Sequence, residues 1–492
     1  MQALTNHLLN HDPERTAIIA KGQRCSYGEL AVRVREVANV LHQIGAEEGA
    51  RIGILFGNCP EFAYALLGAW SVGASAILLS TYFRAQELRR YCKTLAVEYV
   101  LTDVASEALL RTTFVTARRV TEFCVVDAGS VRLYHLGDVA NTGAAGPHNE
   151  AVIQFTSGVA GSSKIIGRTV ANLIDEIQNY SITVALTEDD RVLCLTPLFH
   201  AYGLVNGLLP VLAFGSQLVL TGRFSPREVP ALAVAMRPSI VLGVPFMYEL
   251  LANTEGLSEN TFANCRFCFS AGGKLERIIA ESFLKQYGRA ISQLYGSTET
   301  GIVAVNLYES SGDTVESVGR PVLGREVEIV NDEDVLCAVG MSGNLRIRSS
   351  GTTPGYIRSP ELTAASFRNG WYYPGDIGFK DDDGNITITG RKSTFINVAG
   401  MKVDPFEVET VLRAIPGVRD AAVVGKQPRS VGITNEIVKA FVVCEPPLLS
   451  RHEIIAACRQ EIAEYKVPRE FEFVDQLPRS PMGKLLVKYL IE

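Results

Sequence analysis

The chain has 492 residues, 47% hydrophobic and 20% charged, with a formal net charge of −6. Its length exceeds one ordinary core and predicts several domains or subdomains, and its composition is that of a soluble globular protein. The negative balance argues against a nucleic-acid binder working through a basic surface, and no apolar run is long enough for a membrane span.

The first seven residues lack a basic start and a long apolar core, so no secretory signal is expected. Ten cysteines are scattered along the chain, which fits a reducing cytoplasm. Cys265 and Cys268 have C-x-x-C spacing. They lack a second pair nearby and lie in an apolar stretch, so they read as buried strand thiols rather than a zinc or redox site.

From about residue 17 to 220, short apolar runs alternate with helical patterns. Residues 51–56 and 76–79 read as buried strands, and 61–72 and 85–95 as helices. The rhythm continues through strands at 192–195, 217–220, 239–243 and 266–269. It predicts a parallel sheet covered by helices. From about 318 to 388, short strands between Asx-rich turns predict an antiparallel, β-rich subdomain. After Gly390, helices at 405–414 and 452–465 and strands at 418–424 and 436–443 predict a small α+β domain. The expected division is 1–390 and 391–492.

Six segments carry candidate chemistry. Tyr295-Gly296-Ser297-Thr298-Glu299-Thr300-Gly301 follows an apolar run. Its hydroxyls and N–H groups suit a phosphate, and its carboxylate suits a divalent cation; a polar turn is the plainer reading. Thr156-Ser157-Gly158 through Lys164 is a glycine- and serine-rich loop after a strand, able to cradle phosphates or to serve as a linker. It lacks Walker spacing. His200, Tyr202 and Gly203 follow another strand, where open α/β sheets place ligands, although a lone His also occurs as a satisfied core residue. Asp376 follows a Pro-Gly bend and could accept ribose hydroxyls or form an Asx turn. Arg391 and Ser393 stand at the proposed boundary. Lys484 is lifted by Leu477-Pro478-Arg479-Ser480-Pro481-Met482-Gly483, and alone would read as a solvated lysine.

In this order and at these separations, the segments resemble the adenylate-forming superfamily. That group includes acyl- and aryl-CoA synthetases, stand-alone adenylation domains and beetle luciferases. The resemblance runs from Ser26-Tyr27-Gly28-Glu29-Leu30 to Lys484. It implies a large N-terminal domain of stacked α/β subdomains plus a β-rich one, and a small mobile C-terminal domain. It also implies a two-step reaction. A carboxylate attacks the α-phosphorus of ATP, giving an acyl-adenylate and pyrophosphate, and a thiol then takes the acyl group and expels AMP.

The resemblance assigns roles residue by residue. Lys484 bridges carboxylate and phosphate, Thr298 holds the α-phosphate, and Glu299 helps bind Mg²⁺. Asp376 and Arg391 meet the ribose, while Thr156, Ser157, Gly158 and Lys164 hold pyrophosphate. Ser270, Ala271, Gly272 and Gly273 lie along adenine and the acyl pocket, with Tyr295, Gly296 and Ser297 beside the nucleotide. His200, Tyr202, Gly203, Gly243, Val244, Pro245 and Tyr248 line the acyl site. Ser393 is the hinge that would swap Lys484 for the Gly400 region.

The chain departs from the family pattern at Val159, Ala160, Ser163 and Ile165 of the phosphate loop. Two lost neutral hydrogen bonds cost roughly 1–3 kcal/mol, which would slow ATP use without abolishing it. Ser393 and Asn397 also depart, which bears on thiolation more than on adenylation. His200 stands where amino-acid-activating relatives carry an Asp for the substrate ammonium, so an uncharged aryl or acyl acid is expected. The expected cofactors are ATP and Mg²⁺. The acceptor is CoA, or alternatively the phosphopantetheine of an acyl or peptidyl carrier protein. A non-catalytic nucleotide- or acyl-binding protein and a luciferase-like oxygenase are the readings of other classes.

Overall fold

A computed structural model describes residues 1–126, 129–137, 149–156, 164–254, 259–275, 277–307, 316–391, 396–427, 436–446, 449–478 and 490. The fold is mixed α/β. It divides into two compact units, one comprising Met1–Thr81, Tyr91–Gln154 and Ile165–Gly390, the other Tyr82–Arg90, Phe155–Lys164 and Arg391–Glu492.

The larger unit contains a sheet that changes character along its width. Thr16–Ala20, Gln217–Leu220, Arg191–Cys194, Ile240–Gly243, Phe267–Ser270 and Ile291–Ser297 are neighbours in that order and pair in parallel. Ile291–Ser297 then turns back antiparallel onto Gly301–Val305. Beyond that hairpin the strands, including Ser317–Pro321, Asp376–Lys380 and Ile386–Arg391, form the β-rich part.

The parallel strands read as continuous apolar runs because both faces are covered. Val192, Cys194, Ile240, Leu242 and Phe269 enter one core, while Leu193, Leu195, Val241 and Cys268 enter the other. Cys265 and Cys268 are both buried. A second, seven-stranded sheet is built around Arg51–Leu55, Ser75–Leu78 and Tyr99–Thr102. Its antiparallel ribbon, Arg118–Val126 with Gly129–His135, has no counterpart in the sequence reading.

Local signals set the covering helices. Ser26 and Glu29 form a capping box that starts Tyr27–Gln43, and Thr169 with Asn172 does the same for Val170–Thr183. Proline opens Pro60–Ser71 and Pro245–Ala252, where its missing N–H costs nothing.

In the smaller unit, Val418–Lys426, Ile437–Cys444 and Glu470–Phe473 form a sheet. Pro405–Arg413 and Arg451–Glu461 contribute to its core. The second helix ends sooner than its periodicity predicts. Ile462 turns extended, and it and Ala463 are buried, so core burial outweighs helix continuation.

The hairpin Ile396–Val398 with Met401–Val403 turns through Ala399 at φ 53° and Gly400 at φ 81°. An alanine in the left-handed region is strained, so Ala399→Gly is expected to stabilise the chain by about 0.5–1 kcal/mol. A raised midpoint in thermal unfolding would register it, and a lowered one would contradict it.

Among the described residues, no helix is long and apolar enough to cross a membrane.

Candidate active site

Four adjacent parallel strands deliver the predicted site residues from their carboxyl ends. His200 follows Arg191–Cys194, and Val244 follows Ile240–Gly243. Ala271 follows Phe267–Ser270, and Thr298 follows Ile291–Ser297. Open α/β sheets bind ligands at such ends because the loops there are free to vary over a rigid scaffold.

The Tyr295–Gly301 segment is the turn at which the sheet changes from parallel to antiparallel. Ser297 pairs with Gly301 and Gly296 with Ile302, leaving Thr298, Glu299 and Thr300 at the tip. The tip is braced from several sides. Ser297 Oγ and Thr300 Oγ1 lie 3.0 Å apart. The Glu299 carbonyl accepts the Thr353 N–H at 2.8 Å, and its Oε1 accepts the Tyr356 hydroxyl at 2.9 Å. Burial, reinforced by the Glu299 carboxylate, raises the Tyr356 pKa, so the phenol stays protonated as a donor. Thr298 is half-buried.

The same turn reaches Asp376. The Tyr295 hydroxyl donates to Asp376 Oδ2 at 2.6 Å, and the Asp376 side chain is buried. A phenol–carboxylate bond of that length fixes the carboxylate's orientation. Two segments that are distant in sequence, the turn and the Pro-Gly-Asp bend, thus meet.

The segment carrying His200 is pinned at its backbone. Asn58 donates to the Thr196 carbonyl at 2.9 Å and accepts the Leu198 N–H at 2.9 Å, and Gln154 donates to the Phe199 carbonyl at 3.0 Å. Gly203 is required here, because a Cβ would lie 2.3 Å from the Pro197 carbonyl oxygen. The His200 side chain reaches solvent. Protein nevertheless surrounds it closely enough to lower its pKa from the ordinary 6.5, so the imidazole is neutral at pH 7.

Both tyrosines of the predicted acyl site spend their hydroxyls on backbone. Tyr202 donates to the Phe269 carbonyl at 3.1 Å and Tyr248 to the same oxygen at 2.8 Å. They approach from opposite faces of the sheet, since Tyr202 packs with one core and Tyr248 lies fully buried in the other. Gly243 and Pro245 are buried and Val244 is half-buried. Ser270 and Ala271 are buried, with Gly272 and Gly273 more open beyond them. Ser270 Oγ has no hydrogen-bond partner among the described residues.

Thr156 ends the strand Glu150–Thr156, and its buried hydroxyl also lacks a partner among the described residues. Lys164 begins Lys164–Thr169. Ser157, Gly158, the expected hinge Ser393 and Lys484 lie outside the described residues, as does the side chain of Arg391, whose backbone ends Ile386–Arg391. Reasoning from sequence overlooked Tyr356, Asn58 and Gln154. Their roles come from contacts between distant segments, and no local spacing announces them.

The sequence model of the AMP-binding enzyme matches residues 6–357, and that of the AMP-binding enzyme C-terminal domain matches residues 407–484. The chain belongs to the AMP-binding enzyme family. Among its relatives in the family, a 2-succinylbenzoate–CoA ligase from Bacillus velezensis is 30% identical over 479 residues, 96% of this chain and 94% of the relative. A long-chain-fatty-acid–CoA ligase from Escherichia coli O157:H7 is 28% identical over 523 residues, 97% of this chain and 91% of the relative. A double mutant of the o-succinylbenzoate CoA synthetase of Bacillus subtilis, solved with the product analogue OSB-NCoA, superposes with a TM-score of 0.85 at 25% identity. It covers 100% of this chain and 98% of its own. This family member is an adenylate-forming ligase that uses ATP.

Proposed function

We propose that the chain activates a carboxylic acid, whose aryl or acyl portion carries no charge beyond the reacting carboxylate, with ATP and passes the acyl group to CoA. The arrangement of four motif segments on adjacent strand ends is the observation that carries this reading. Adenylation brings two anions together, so catalysis rests on positioning and charge neutralisation. Thr298 holds the α-phosphate from the turn tip. Asp376, oriented by Tyr295, accepts the ribose hydroxyls, with Arg391 in support. The orphaned Thr156 hydroxyl fits a phosphate oxygen, and Ser157, Gly158 and Lys164 complete that role. Residues 1–390 bind nucleotide and acid, and the C-terminal domain of residues 391–492, hinged at Ser393, carries Lys484.

The residues present fit Mg²⁺. Among the described residues no group of three or more His, Cys, Asp or Glu forms a cage, and Mg²⁺ is ordinarily held by one or two carboxylates plus substrate phosphates. Glu299, an oxygen donor fixed by Tyr356, supplies such a carboxylate. When bound, the cation would neutralise phosphate charge.

The acyl portion is read as uncharged because its proposed surroundings carry no fixed charge. His200 is neutral, and Tyr202 presents ring carbon while its hydroxyl faces Phe269; Tyr248, buried in the core on the other face of the sheet, backs the strand rather than lining the pocket. The described cysteines are all free thiols, which supports a cytoplasmic location. The test is ATP–pyrophosphate exchange across a panel of aryl, short-chain and long-chain acids. Exchange stimulated by at least one acid with an uncharged aryl or acyl portion is the expected result, and none across the panel would overturn the reading. Thioester formation with CoA, set against a holo-carrier protein, then identifies the acceptor.

A further inference from the structure

Glu176 lies far from the Thr298–Glu299 turn in sequence yet is buried beneath it. It sits on the helix Val170–Thr183 and is 1% exposed. Its Oε1 accepts the Ile302 N–H at 3.1 Å, the first strand residue after Gly301. Its Oε2 pairs at 2.5 Å with Arg168, which is fully buried. The carbonyl of the same Ile302 accepts Arg325 Nε at 2.9 Å, and Arg325 Nη1 pairs with Asp175 at 2.6 Å. The backbone of Ile302 is thus gripped on both sides by buried charged groups. Gly301 passes so close that a Cβ would lie 2.3 Å from the Glu176 carboxyl carbon, and its φ is +69°.

A well-packed apolar cluster would hold a hairpin with less desolvation than two ion pairs. Ionic groups at this position give direction, because a charged acceptor fixes one N–H in one place. The strand Lys164–Thr169 that carries Arg168 is also linked to the turn through Thr353. Thr353 donates from Oγ1 to the Gly167 carbonyl at 2.7 Å, and from its N–H to the Glu299 carbonyl.

We propose that Glu176, backed by Arg168, is a positioning residue that holds the Thr298–Glu299 turn in the geometry that receives the ATP phosphates and Mg²⁺. This rests on the assignment of Glu299 above. The decisive variant is Arg168→Met with Glu176→Leu, which replaces the ion pair by apolar groups of similar size and removes the acceptor for Ile302. Calorimetric titration with ATP in excess Mg²⁺ is compared with titration by AMP in EDTA. The expected result is a lowered unfolding midpoint, because the buried Ile302 N–H loses its acceptor, with a protein that still folds, AMP affinity within about twofold, and MgATP affinity weakened about tenfold. A purely structural role would weaken MgATP and AMP together, or neither, and would overturn the proposal.

Glu299→Ala is run alongside. If it leaves MgATP affinity unchanged, the assignment of Glu299 fails and the inference with it. If Glu299→Ala weakens MgATP while the double variant binds it as the parent does, the positioning role alone is overturned. Should the double variant not fold, Glu176→Gln decides. It keeps an acceptor for Ile302 but leaves Arg168 without its charge partner. Selective weakening of MgATP is expected, and parental binding would refute the proposal.

Discussion

Replacing Lys484 with alanine is expected to slow acid-dependent ATP–pyrophosphate exchange by about 10²–10³-fold, the usual cost of removing one preorganised charge-stabilising donor. The reason is electrostatic. A carboxylate oxygen must approach a phosphorus that carries negative oxygens, and two unit charges 4 Å apart still repel by about 4 kcal/mol at an effective dielectric constant near 20. An ammonium between them turns the repulsion into attraction. Lysine suits the task because its charge is compact and its stem is long and flexible. The second step has no such need, since the thiol attacks an adenylate already formed. Lys484→Ala supplied with preformed acyl-adenylate should therefore make thioester within about threefold of the parent rate, because that step forgoes only interactions it never used. Exchange at the parental rate in this variant would remove Lys484 from the chemistry. An equal loss in both steps would assign it to folding or to a shared surface.

The fold class was legible because both signals it depends on are local. Apolar runs such as residues 192–195 and 239–243, separated by helical periodicity, announce a parallel sheet. The change to short strands between Asx turns after residue 318 announces the antiparallel part. The ribbon formed by Arg118–Val126 and Gly129–His135 was not legible, since its polar and charged residues give neither period. For the candidate site, what was legible is the placement of motif residues after strand ends, as at His200, Gly243 and Thr298. It was not legible where the decisive contact joins remote segments. Nothing around Tyr356 says that its hydroxyl meets Glu299, and nothing in Val170–Thr183 says that Glu176 meets Ile302. Tyr202 and Tyr248 show the converse. The sequence names them as a pair of pocket tyrosines, yet they stand on opposite faces of the sheet and share one carbonyl.

Glu299 offers the clearest separation of charge from hydrogen bonding. Glu299→Ala is expected to lower the exchange rate by about 10²-fold or more, because a fixed anion aimed at a divalent cation is lost. It also removes the carboxylate that accepts from the buried Tyr356 hydroxyl, a charged hydrogen bond whose loss is expected to cost about 1–3 kcal/mol of stability. Glu299→Gln keeps an acceptor for Tyr356 and restores most of that stability. A neutral amide oxygen is a poor ligand for Mg²⁺, so activity should stay low and the Mg²⁺ concentration for half-maximal exchange should rise. Tyr356→Phe works the other way. The charge remains while one restraint on its direction is gone, so the expected loss is about tenfold, with the carboxylate looser but present. Exchange measured against Mg²⁺ concentration for the three variants, beside their unfolding midpoints, sets these effects apart. Were Glu299→Gln to show the parental Mg²⁺ midpoint, the carboxylate would be a hydrogen-bond acceptor for Tyr356 and nothing more, and the cation would have to be held by the substrate phosphates and other residues.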